Sequence, residues 1–177
     1  MLVWVRRILV TAVTGTALAI PGGLGSAVAQ PVAPSGIALN FPAIGGVEIG
    51  PGGVPGGSLQ PVTVIAAPAA HIAQHPPAPP AVQFTVPDPA PYHYQYPYRY
   101  LSVSWRNLET GKVGEVQLRH WRLPDYPIDG YPSTLPTTAI AHTGAGPIVA
   151  TVTVLRTQWE AAPLPISVIP GLNIVAV

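Results

Sequence analysis

The stretch YRYLSVSWRNLETGKVGEVQLRHWRL, Tyr98 to Leu123, decides the reading of the fold. Its apolar and polar residues alternate on both sides of a short Thr110-Gly111 break, which predicts a β-hairpin. With Glu109 set against Lys112, one face pairs Leu108 with Val113, Trp105 with Val116, Val103 with Leu118 and Leu101 with His120. The other pairs Arg106 with Glu115, Ser104 with Gln117, Ser102 with Arg119 and Tyr100 with Trp121. Apolar meets apolar and opposite charges meet twice, the kind of matching that stabilises a strand pair. A slip of one residue turns every side chain to the wrong face, so the assignment of faces is firmly specified. A hairpin is a fold element and implies no chemistry.

Working outward, the same period of two continues upstream. In PDPAPYHYQYPYRY, tyrosines stand at 92, 94, 96, 98 and 100, and an extended chain places them on one face. They form either an aromatic cover over a small core or a binding platform, since tyrosine combines rigid contact area with a polar tip. The candidate binding residues are Tyr92, Tyr94, Tyr96 and Tyr98, with Trp121, Tyr126 and Tyr131 as neighbours. Downstream, RLPDYPIDGYPSTLP reads as turns without a regular element. A second hairpin is expected from Thr137–His142, a TGAGP turn and Ile148–Arg156, with Ile148, Ala150, Val152 and Val154 inward. Ile166–Ile169 and Leu172–Val177 flank a Pro170-Gly171 break.

Residues 30–97 hold fifteen of the 24 prolines and only two charges, Glu48 and Asp88. Proline removes a backbone donor and glycine adds chain entropy, so 30–80 reads as a flexible Pro/Gly/Ala-rich arm. Val62–Ile65 and Val82–Val86 alternate like strands within and after it. The expected β-domain is 81–177, with an ordered start near residue 80 or, if Val62–Ile65 joins the sheet, near 60. Short strands between proline and glycine turns indicate an all-β fold, a small antiparallel sandwich or partly open barrel. An inward Trp105 gives it an immunoglobulin- or fibronectin-like architecture, without the cysteine pair that accompanies it in antibody domains.

The N-terminus carries Arg6-Arg7, an apolar run from Ile8 to Ile20, and Ala27-Val28-Ala29 before Gln30. That order of basic, apolar and small residues predicts a secretory signal peptide over 1–29. The apolar run is short for a membrane span. The arginine pair admits the twin-arginine route, but its flanks fit general secretion better. Without the two signal arginines, six basic residues face seven acidic ones, a net charge of −1. Nucleic-acid binding needs a basic footprint and is excluded as an expectation. With no cysteine there is no disulfide framework.

Catalytic patterns are thin. There is no G-x-S-x-G elbow and no thiol nucleophile. Asp125 and Asp129 lack the spacing of a calcium loop. His71 and His75 are four apart, and a metal or hydrolase site built from them with His93 and His120 is the alternative to a binding module. The leading expectation is a non-enzymatic, secreted or envelope-associated β-domain without a cofactor. It binds an extracellular protein, a glycan or an envelope lipid through the tyrosine-rich edge and the apolar arm. Self-association through exposed strand edges is a further option.

The signal ending in Ala27-Val28-Ala29, the Ala/Val/Pro/Gly bias, and the block SWRNLETGKVGEVQLRHW followed by DYPIDGYP together resemble uncharacterised secreted proteins of actinobacteria. The resemblance covers the signal in general terms and residues 98–155 more specifically. It implies secretion and carries over no activity and no functional residue.

Overall fold

The structure is a computed structural model and describes residues 38–46, 48–49, 55–57, 59–70, 75–94, 96, 98–129 and 131–177. Residues 1–37, which hold the expected signal peptide and the first part of the expected arm, lie outside the described residues. The fold is all-β: two antiparallel sheets facing one another, sandwich-like and not a closed barrel. The first sheet is built from β1 (Leu39–Gly45), β4 (Gln60–Pro68), β5 (Val82–Thr85), β8 (Thr138–Ala141) and β11 (Ser167–Ile169), in the order β11-β1-β4-β5-β8. The second contains β6 (Arg99–Asn107), β7 (Val113–Leu118), β9 (Pro147–Gln158) and β10 (Ala161–Pro165), in the order β10-β9-β6-β7. A last strand, β12 (Gly171–Ala176), also pairs with β9. β2 (Glu48–Ile49) and β3 (Pro55–Gly56) form a small separate ladder between β1 and β4.

Alternation explains the core. Phe41 and Ala43 on β1, Val62, Val64 and Ala66 on β4, and Val82 and Phe84 on β5 are buried at every second position. They meet Leu101, Val103 and Trp105 from β6 and Ile148, Ala150, Val152 and Val154 from β9. The inward row expected for 148–154 and the inward Trp105 are both found. The sheets approach closely where Gly45 faces Val154: a Cβ at 45 would lie 2.5 Å from Val154 Cγ2. Ile166 ties them together, its N–H donating to Val154 O and its carbonyl accepting from Gly46 N.

Three expectations are corrected. The hairpin register is shifted by two residues: Leu101 pairs Leu118, Val103 pairs Val116, Trp105 pairs Gly114 and Arg106 pairs Val113. A shift of two preserves which side chains share a face, so Leu101, Val103 and Trp105 lie on one face as expected, whereas Val113, expected on that face, stands opposite Arg106 on the other. The cause is Asn107, whose Oδ1 accepts from the N–H groups of Glu109 and Thr110 and so widens the turn. Glu115 consequently stands opposite Ser104 instead of Arg106.

The second correction concerns 137–156, which is not a hairpin. β8 pairs β5 in one sheet while β9 pairs β6 in the other, so residues 142–146 cross between layers. Gly144 and Gly146, at φ 79° and 114°, supply the left-handed conformations of that crossing.

Third, β-structure is present from Leu39, earlier than either expected start, because β1 and β4 pair along their length from Leu39↔Ala66 to Gly45↔Gln60. Apolar alternation outweighed the proline content there: Pro42 and Pro61 both sit at exposed positions. The 124–135 loop also contains one turn of 3-10 helix, Tyr131–Thr134, where regular structure was not expected. Among the described residues there is no α-helix and no segment long and apolar enough to cross a membrane as one.

Candidate functional site

Residues 90–98 run beside 120–126 at the start of β6. Ala90 N donates to His120 O, Arg122 N donates to Ala90 O, and Ala90 forms an isolated parallel bridge with Trp121. Between these anchors the chain folds into two consecutive turns, Tyr96 N to His93 O and Arg99 N to Tyr96 O. The tyrosines therefore do not share one extended face. Prolines at 87, 89, 91 and 97 remove the donors a continuous ladder would need.

What results is an aromatic cluster with a buried floor. Trp121 is fully buried and its Nε1 donates to Arg99 O at 3.1 Å. Tyr92 packs edge-on against Trp121 at 5.8 Å and against Tyr126 at 5.9 Å. Burial and the neighbouring Tyr126 and Tyr98 raise the Tyr92 phenol above its ordinary range. His93 lies between Tyr94 and Tyr96, with centroids 4.3 and 5.3 Å apart, and Tyr96 meets His120 at 5.6 Å. The outermost rings are Tyr94, 74% exposed, and Tyr126, 57% exposed, with Tyr98 half exposed beside the end of β9. Tyr131 stands apart, packed on Tyr100 at 6.1 Å over the second sheet.

Beneath the cluster lies a polar group that alternation alone did not reveal. His120 is buried, and Gln60 from β4 donates through Nε2 to its Nδ1 at 3.0 Å. Arg99 is also buried, and its guanidinium lies 5.9 Å from the Tyr96 ring centre. Desolvation, then the Arg99 charge, push the His120 imidazole down to about 3, so it is neutral at ordinary pH. With Nδ1 accepting, the proton sits on Nε2, which has no hydrogen-bond partner among the described residues. The one sequence signal for this group was His120 and Arg99 falling on inward positions of apolar strands.

The histidines do not converge. His75 is exposed, His93 sits in the aromatic cluster, His120 is buried, and His71 lies outside the described residues. Among the described residues no three of His, Cys, Asp and Glu come together as metal ligands. Ser102 Oγ donates to Glu115 Oε1 at 2.9 Å and belongs to a polar network on the outer face of β6 and β7. No protein-family model matches the chain, and neither does any curated protein or solved structure.

Proposed function

We propose that this protein is a non-enzymatic β-domain, exported to the cell envelope or the medium, that works by binding through its tyrosine-rich edge. The observation that carries the reading is the exposure of Tyr94, Tyr98 and Tyr126 around a fixed base of Tyr92 and Trp121. Exposed phenols need no such base for folding, whereas an interface gains from rings whose ordering cost is already met. The base is rigid because Trp121 is hydrogen-bonded to the first residue of β6 and buried below it. The described part of the 30–80 segment is largely sheet, so contact with a partner falls to the tyrosines instead of an arm. Export is supported by the order of residue types over 1–29.

The test compares wild type with the Y94S/Y98S/Y126S variant as bait against envelope and medium fractions of an organism that makes the protein. These rings are solvent-facing, so the variant keeps the fold, and circular dichroism checks it. A partner held by wild type and released by the triple variant supports the reading. Retention of every partner by the folded variant ends it.

A further inference from the structure

A second surface, distinct from the tyrosine edge, is organised for a ligand on the outer face of the second sheet. The register places Arg106 between Val113 on β7 and Val149 on β9, and Ser104 between Glu115 and Thr151. These six side chains, with the Trp105 and Gly114 segments, line an open groove of about 480 Å³. The volume falls within the range of small-molecule sites, about 300–1,000 Å³. Tyr100 and Ser102, nearer the start of β6 than the groove, carry no part of its lining. The 3-10 turn Tyr131–Thr134 packs on Tyr100 through Tyr131, outside the Ser104–Thr151 row.

Glu115 is held in place from the side of Ser102 and Tyr131. Its Oε1 accepts from Ser102 Oγ at 2.9 Å and from Gln117 Nε2 at 3.2 Å, while Gln117 Oε1 accepts from Tyr131 OH at 2.8 Å. Tyr100, in turn, has its phenol raised by burial and by the Glu115 charge. Both oxygens are thus oriented while only Oε1 is occupied by protein donors among the described residues. The lining thereby offers an acceptor-only group, Glu115, beside a donor-only group, Arg106, with two hydroxyls and two valines between and around them.

We propose that this groove binds a short neutral oligosaccharide, with adjacent hydroxyls spanning Glu115 and Arg106 and the apolar face of a ring on Val113 and Val149. A sugar hydroxyl both donates and accepts, so vicinal hydroxyls satisfy a carboxylate and a guanidinium side by side. An anionic ligand meets Glu115, a cationic one meets Arg106, and an acyl chain leaves both desolvated without partners. An extended peptide takes its affinity from main-chain bonds along a strand edge, whereas the groove lies on the face formed by β7, β6 and β9, where side chains make the contacts. The groove is open and has no aromatic wall among its six side chains, so binding is weak, about millimolar.

The test is an amide chemical-shift titration of the isotope-labelled protein with cellobiose, maltose, trehalose and chitobiose, and with a capped tetra-alanine peptide. At least one saccharide gives saturable shifts at Ser104, Arg106, Gly114, Glu115 and Thr151. E115A and R106A each weaken it about tenfold, the size expected of one charge-assisted hydrogen bond. Y94S/Y98S/Y126S leaves these shifts unchanged, which separates this site from the tyrosine edge. Absence of shifts with all four saccharides overturns the proposal. So do equal shifts from the peptide, or shifts that persist in both folded single variants.

Discussion

Gly114 on β7 pairs directly with Trp105 on β6, and a Cβ at 114 would sit 2.5 Å from Cζ2 of the indole. The ring therefore lies flat along β7 towards Lys112, whose ammonium is 5.9 Å from its centre. Glycine in a strand is unfavourable in itself, and here the close approach of a ring explains it. Gly114→Ala forces the indole or the strand to move and is expected to cost about 1–3 kcal/mol in a denaturant titration. Gly111 is the control. Its φ of 73° disfavours alanine, yet no atom lies within 4 Å of the added carbon, so Gly111→Ala acts through the backbone and leaves Trp105 fluorescence unchanged. A G114A variant as stable as wild type would contradict this packing.

Asn107 is buried and uses both ends of its amide. Nδ2 donates to Thr143 O at 3.1 Å and Ala145 O at 2.8 Å, while Oδ1 accepts from Glu109 N and Thr110 N, both at 2.9 Å. It thus joins the β6–β7 turn to the crossing between sheets. Asn107→Ala leaves several main-chain groups without partners, at ~1–3 kcal/mol for each that stays buried. Asn107→Asp keeps the acceptor and loses the donors, so it repairs the turn but not the crossing. Hydrogen exchange separates the two: N107D protects the Glu109 and Thr110 amides, and N107A exposes them. Equal exchange in both variants would remove Asn107 from this role.

These two residues also show where the sequence was legible. Alternation identifies β6, β7 and β9 and their inward rows because burial on one face imposes period two. The pairing partners depend on the length of the 107–112 turn, fixed by one side-chain amide whose hydrogen bonds leave no periodic trace. The layer change after Ala141 was missed for a related reason. TGAGP suits a hairpin and a crossing equally, and only the packing of β8 against β5 distinguishes them. The tyrosine run shows the opposite failure: its period of two is genuine, but proline removes the ladder that would turn periodicity into a shared face. The Gln60–His120 contact joins residues sixty positions apart and has no local signature.

His120 makes stability depend on pH with a defined sign. Its folded-state pKa is about 3 against an ordinary value of 6.5, so between those limits the unfolded chain binds more protons. Stability from this residue is complete above about pH 6.5 and falls as pH drops towards 3, by at most about 1.4 kcal/mol per pH unit. Wild type should lose stability more steeply than a folded His120→Gln variant between pH 6.5 and 5, where most carboxylates still keep their charge. The ring resonances of His120 in the native protein should not move over that interval. Titration of the His120 ring near pH 6.5 in the folded state would show that it is solvated.

Trp159 occupies the tip of the β9–β10 hairpin and is 89% exposed, followed by Glu160 at φ 49°. All of β10 is exposed as well, and Pro163 and Pro165 deny an incoming strand two main-chain donors along that edge. The other tryptophans after residue 29, Trp105 and Trp121, are buried. In the chain beginning at Gln30, iodide should therefore quench a red-shifted component arising from Trp159, and Trp159→Phe should abolish it. Stability should change by no more than about 0.5 kcal/mol, as at other exposed positions. If wild type resists quenching at high protein concentration and becomes quenchable on dilution, the hairpin tip is covered by a second copy of the chain. Quenching that is independent of concentration places the tip in solvent and assigns the prolines of β10 to keeping that edge unpaired.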